Sequence, residues 1–148
     1  MNRQHPNTPL KCEEPDIYWQ VCFAWLTGNG DLHAKNLSII QRVGEWSVAS
    51  AYDIPTTLPY GDSTLALPVG GKKQGLSRKR LLEFGESIGL QRATAETTLD
   101  AVLTAVKPAE ADWRSGVVPF NTQTLHDVSS SLRRRRSDAL GEKEERGS

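Results

Sequence analysis

Asp31 and Asn36 stand five positions apart in the stretch Gly28-Asn29-Gly30-Asp31-Leu32-His33-Ala34-Lys35-Asn36-Leu37-Ser38. A carboxylate and a carboxamide at that separation could serve phosphoryl transfer. There the carboxylate orients an attacking hydroxyl, and oxygen ligands hold magnesium against the phosphates. A second carboxylate, Asp53, follows a segment patterned as a hairpin that can fold back beside Asn36. Hard oxygen donors of this kind suit a magnesium ion that keeps some of its waters. The Asp–Asn pair alone would arise by chance in roughly one chain in three at average composition. Requiring His33 and Lys35 between them lowers that chance by about a thousandfold. The constellation therefore carries the argument, not the pair. Asp and Asn also favour turns and caps, so a turn-forming role stands beside the chemical one. Lys35 reads as a point charge for a phosphate. His33 reads first as a hydrogen-bonder that braces the loop, because no second His or Cys sits at a ligand spacing from it. His5 falls in a tail and His126 in a late helix.

These residues need elements to position them. Pro15 suits the first turn of a helix, where no amide donor is required. Ile17, Val21 and Ala24 recur at helical spacing, with Tyr18, Cys22 and Trp25 widening the stripe. Gly28 ends the helix and Asn29-Gly30 signals a turn. Leu37 to Ile40, a turn at Val43-Gly44-Glu45, and Trp46 to Ala51 together predict a small hairpin. The prolines and glycines from Pro55 to Gly75 disfavour any long regular element. Gly70-Gly71-Lys72-Lys73 lacks the first glycine and the Ser/Thr of a P-loop, so it reads as a surface loop. Ser77 can cap a helix carrying Leu81, Phe84 and Ile88, with Gly89 at its end. A further helix places Ala95, Leu99, Val102 and Val106 on one face before Pro108. Asn121 or Thr122 can cap a last helix with Leu125, Val128 and Leu132. The expected fold class is mainly α (α+β), helical with one small β-hairpin beside the candidate loop. The expected organisation is a polar disordered tail over 1–14, a domain over 15–132, and a charged disordered tail over 133–148.

Composition bounds the rest. At 148 residues the chain has room for one modest core. Eighteen basic and eighteen acidic residues cancel, which leaves no global field for nucleic acid or anionic lipid. The run Arg133-Arg134-Arg135-Arg136 reads as a solvated helix end followed by glutamates. No apolar run approaches bilayer length, and Met1 to Leu10 lacks the apolar core of a signal peptide. Cys12 and Cys22 have no metal or redox spacing. Both thiols are expected free in a reducing cytoplasm. Trp19, Trp25, Trp46 and Trp113 are expected in the core or against a partner.

Protein kinases use a catalytic-loop aspartate, an asparagine five residues on, and a second aspartate beyond a short hairpin. Asn29 to Ser38 closely resembles the catalytic loop of the HipA toxin family. Tyr52-Asp53-Ile54, the proline-containing stretch to Tyr60, and Leu65-Ala66-Leu67 resemble the segments that follow it there. The resemblance runs from about Asp16 to Val106 and implies the C-lobe of a serine/threonine protein kinase. By resemblance Asp31 would be the base, Asn36 and Asp53 the magnesium ligands, and Lys35 and His33 the residues facing the nucleotide. Mg2+ and ATP would be the cofactors. The family implies a toxin–antitoxin pair, a HipB-like DNA-binding antitoxin as partner, and aminoacyl-tRNA synthetases as the substrate class.

The departures are Ile54-Pro55 in place of Phe-Gly, and Asn29-Gly30 where ordinary kinases have His-Arg. About thirty residues precede Asp31, too few for an N-lobe with its glycine-rich cover and lysine. The expectation is therefore a C-lobe with the N-lobe absent, apparently truncated and incompetent alone. Two rivals stand beside it. One is a non-catalytic remnant or interaction module that binds an antitoxin or a kinase partner. The other is a split enzyme whose N-lobe is a separate chain, which predicts an exposed apolar patch around the hairpin and first helix.

Overall fold

The computed structural model describes residues 14–50 and 55–142. Helix α1 spans Glu14–Thr27, with Pro15 in its first turn, and Gly28 ends it in the left-handed region at φ +70°. Tyr18, Val21, Cys22, Trp25 and Leu26 are all buried, so α1 is covered on most of its circumference rather than on one stripe. It packs on α3 (Arg92–Arg114) and α4 (Thr122–Leu140).

After the loop that follows α1, strands β1 (Ile39–Arg42) and β2 (Glu45–Val48) form an antiparallel pair with Ile39 opposite Val48 and Gln41 opposite Trp46. Val43 and Gly44 close it with φ +50° and +83°, the left-handed backbone that a two-residue hairpin loop demands. From Pro55 to Gly75 the regular structure is one 3-10 turn, Leu58–Tyr60, and a bridge between Val69 and Lys72. Gly70-Gly71 forms the exposed reversal inside that bridge, as a surface loop would. Leu65, Val69 and Leu76 are buried and fasten this otherwise irregular segment to the core. Each such side chain contributes about 1.5–3 kcal/mol relative to exposure.

Ser77 caps α2 (Arg78–Ser87) by accepting the Arg80 N–H, and Asn121 caps α4 through the Thr124 N–H. Ala95, Leu99, Val102 and Val106 are buried together along α3, as their spacing predicts. Two boundaries differ from expectation. Helix α3 continues through Pro108 to Arg114. Proline removes one backbone donor, and both Pro108 and Thr104, whose carbonyl loses its partner, are exposed to water. The larger correction concerns 133–148: residues 133–140 are helical, and Arg135 and Ala139 are buried. Arg78 reinforces this end, donating to Asp100 at 2.9 Å and to the Ala139 carbonyl at 3.2 Å. Arg133 pairs with Glu110 at 2.8 Å on the outer side. The basic run alternates between solvent and core because the helix turns it. Of the expected tails over 1–14 and 133–148, Glu14 belongs to α1, and residues 1–13 and 143–148, with His5 and Cys12, lie outside the described residues.

Candidate active site

The loop begins where α1 ends. The Gly28 N–H donates to the Trp25 carbonyl at 3.2 Å, and the Asn29 N–H to Ala24 at 2.8 Å. Asn29 is 1% exposed, and its Oδ1 accepts the Asp31 N–H at 2.9 Å. This side-chain turn reverses the backbone and sets the Asp31 carboxylate at the surface, its side chain 60% exposed. Leu32 points the other way and is buried.

Next comes a short 3-10 turn, Ala34–Asn36, capped from both directions. His33 Nδ1 accepts the Lys35 N–H at 3.3 Å, and Asn36 Oδ1 accepts the His33 N–H at 3.2 Å. With Nδ1 accepting, the neutral imidazole carries its proton on Nε2. That nitrogen lies 3.9 Å from Asp31 Oδ1. His33 thus bonds within the turn that holds Asn36 and lies near the Asp31 carboxylate. Lys35 is exposed on the same turn.

The hairpin and the segment beyond it are tied to this loop. The Ala49 N–H donates to the Ser38 carbonyl at 2.7 Å, and Gln20 Nε2 donates to the Ala49 carbonyl at 3.0 Å. Downstream, the Thr57 N–H donates to the Gly28 carbonyl at 2.9 Å. The Thr57 hydroxyl accepts the Gly30 N–H at 2.9 Å and lies 3.1 Å from the Gly28 carbonyl and 3.0 Å from that of Asp62. The chain on each side of residues 51–54 is therefore fixed against α1 or the loop. Tyr52, Asp53 and Ile54 themselves lie outside the described residues.

Among the described residues no three His, Cys, Asp or Glu side chains cluster to hold a metal ion. The oxygen donors of the loop are nonetheless of the kind magnesium takes. Among the described residues Asn36 Oδ1 accepts one hydrogen bond, from the His33 N–H, and magnesium requires few protein ligands because it retains waters.

Four residues that sequence reasoning passed over complete the support. Gln20 and Thr57 are the connectors just described. Asp62 Oδ1 accepts the Thr64 N–H at 3.0 Å and the Thr64 hydroxyl at 2.8 Å. Those two bonds, helped by the charges of Arg135 and Lys73, hold its carboxyl below the usual carboxylate range. Arg135, 3% exposed, donates to the Trp25 carbonyl at 2.7 Å and to the Ser63 carbonyl at 2.6 Å. Its guanidinium lies 3.9 Å from the centre of the Trp25 ring. Burial pulls that guanidinium down to about 10. Arg135 thus pins the last turn of α1, from which the loop springs, to α4. A signal for it was present: Val128, Leu132, Arg135 and Ala139 fall on one helical face.

A mainly helical domain with a two-stranded antiparallel sheet thus surrounds the capped Asp–Asn loop, as the resemblance of that loop implies. The HipA-like C-terminal domain matches residues 3–110, and the chain belongs to that family. A Haemophilus influenzae protein named "Putative kinase" is 29% identical over 108 residues, covering 60% of this chain and 31% of its own. Among solved structures, the complex of the Shewanella oneidensis MR-1 toxin–antitoxin system HipA, HipB and its operator DNA contains a chain with the same fold. The TM-score is 0.68 at 22% identity, over 86% of this chain and 32% of that one. The chain thus spans about a third of the length of either relative. No helix among the described residues is long and apolar enough to cross a membrane.

Proposed function

We propose that this chain is the catalytic-loop portion of a HipA-type kinase, acting in ATP-dependent phosphorylation of a protein serine or threonine. The observation that carries the reading is the loop itself. Its backbone and its Asn29, His33 and Asn36 side chains satisfy one another, while the Asp31 carboxylate is left at the surface. A turn-former needs no such exposed carboxylate, whereas a base that orients a hydroxyl does. Asp31 would take that role, Asn36 and Asp53 would hold magnesium, and Lys35 would meet a phosphate. His33 would brace the loop at the edge of the nucleotide site. Magnesium–ATP, when bound, supplies the phosphoryl group and neutralises its charge. The family points to aminoacyl-tRNA synthetases as substrates, a HipB-like antitoxin as partner, and a cytoplasmic setting.

A second reading, an interaction module for an antitoxin or for a separate N-lobe chain, is favoured by the apolar surface beside the hairpin. Ile39 is 53% exposed, and Trp19 and Phe23 stack half-buried with ring centres 4.7 Å apart. A shallow groove of about 200 Å3, lined by Trp19, Gln20 and Val48, separates α1 from the end of β2.

Calorimetric titration with ATP and magnesium, run beside Asp53→Asn and Asp31→Asn, tests the first reading. Binding lost in Asp53→Asn and retained in Asp31→Asn supports it. A folded protein that binds no nucleotide, alone or with an added N-lobe, leaves the interaction module.

A further inference from the structure

The α4 side of the molecule carries a second feature, which shares no residue with the Asp31–Asn36 loop. Between the end of α1, the 63–75 segment and α4 lies a cavity of about 370 Å3. Trp25 and Ser63 form one wall, Gln74 and Gly75 the rim, and Arg134, Arg135 and Asp138 the α4 side. Two guanidinium groups thus face one carboxylate. Arg135 is more than nine-tenths buried, yet among the described residues it makes no ion pair. Two of its donors go to the Trp25 and Ser63 carbonyls, and its buried Nε has no partner. Buried charges in proteins are ordinarily paired, because desolvating one alone costs several kcal/mol. Carbonyl dipoles, the Trp25 face and the charge of the Asp62 carboxylate, which acts from beyond ion-pair distance, offset only part of that cost here. Arg134, on the adjacent position of the helix, likewise makes no ion pair among the described residues.

We propose that this cavity is a binding site for a small oxyanion, a phosphate or carboxylate group held by Arg134 and Arg135 with help from the Gln74 amide. The volume admits such a group with several waters, and the wall combines a few convergent donors with the apolar Trp25 ring. A guanidinium fork and an oxyanion match in geometry, and such charge-assisted bonds are roughly twice as strong as neutral ones. An anion here also neutralises the group that joins Trp25 to Ser63. Its binding therefore reports on the support of the loop without touching the loop.

The test is a titration of the whole chain with inorganic phosphate at constant ionic strength set with chloride. Binding is read by calorimetry and by the thermal midpoint, with acetate as the carboxylate probe. Arg134 and Gln74 are exposed, so Arg134→Gln and Gln74→Ala keep the fold. The expected result is saturable binding with a rise in midpoint, weakened about tenfold or more by Arg134→Gln and measurably by Gln74→Ala. Lys35→Ala leaves it unchanged. Phosphate tighter than acetate assigns the site to phosphates, and the reverse assigns it to carboxylates. Absence of saturation with either probe overturns the proposal. So does binding that survives Arg134→Gln and disappears in Lys35→Ala, which would place the anion at the catalytic loop and leave the kinase reading standing.

Discussion

Replacing Gly30 by alanine probes how tightly the loop ahead of Asp31 is held. Gly30 is not in the left-handed backbone region, so the penalty is one of space rather than of φ. An added Cβ would sit 2.5 Å from Thr57 Oγ1, 2.8 Å from the Thr64 carbonyl oxygen and 2.9 Å from Asp62 Oδ2. None of these can withdraw freely. Thr57 Oγ1 is held by the Gly30 N–H and two carbonyls, and Thr64 is fixed by the Asp62 carboxylate. Overpacking of this kind costs about 1–3 kcal/mol, and a lost Gly30–Thr57 hydrogen bond adds about 1 kcal/mol. Gly30→Ala should therefore destabilise the chain by about 2–4 kcal/mol. The assay is urea unfolding followed by tryptophan fluorescence. Thr57→Ala removes the nearest obstacle, so the double variant should be less destabilised than the sum of the singles by about 1 kcal/mol. A Gly30→Ala protein within about 0.5 kcal/mol of the parent, or strict additivity in the cycle, would refute the reasoning.

Three further outcomes follow from other parts of the molecule. Arg135→Met leaves the Trp25 and Ser63 carbonyls without their donor and removes the guanidinium from the Trp25 face; a loss of about 3–5 kcal/mol in urea unfolding is expected, and a neutral result would mean the clamp is not formed in solution. Val43 is fully exposed, and its β-branched side chain is held at φ +50°, so Val43→Asn should raise stability by about 1 kcal/mol, read as a higher thermal midpoint. Cys22 is buried, and burial pushes its thiol up to about 12 from 9.0. In a Cys12→Ser background it should resist thiol reagents until the chain unfolds. Above pH 9 the unfolded state loses the Cys22 proton while the folded state keeps it, so the contribution is complete below pH 9. It is lost as pH rises toward 12, by up to about 1.4 kcal/mol per unit. Labelling of the native thiol at neutral pH as fast as in urea would contradict this burial.

The helices were legible because each has a local signature. Pro15 and Gly28 bracket α1, Ser77 and Asn121 cap α2 and α4, and Ala95, Leu99, Val102 and Val106 repeat on one face. The hairpin was legible for the same reason, in Val43-Gly44 between two apolar runs. Asp31, His33 and Asn36 could be singled out because they lie within six consecutive positions of one another. Thr57, Asp62 and Gln20 could not. Each acts on a loop residue or on the exit of the hairpin from a distance in sequence, and no spacing rule connects Thr57 with Gly30. The error at the C-terminus had a different origin. Four consecutive arginines register as one charged run when read linearly, while a helix distributes them around its axis. Arg133 then falls beside Glu110 and Arg135 against Trp25.

That placement bears on where the functional unit ends. The Trp25 carbonyl accepts both the Gly28 N–H, which begins the loop turn, and the Arg135 guanidinium, which comes from 110 positions later. The Ser63 carbonyl, held by the same guanidinium, adjoins Asp62, whose carbonyl meets the Thr57 hydroxyl. One side chain of α4 thus joins the two backbone segments that enclose Gly30. Tyr60 extends the same logic, meeting Phe120 at 6.2 Å just ahead of α4, while Phe120 stacks on Trp113 at the end of α3. The segment after the hairpin has little regular structure of its own, so its conformation has to come from these distant contacts. The orientation of Asp31 is accordingly a tertiary property. On the proposed reading the loop sequence would supply the chemistry, and the second half of α4 supplies part of the rigidity that a positioned carboxylate requires.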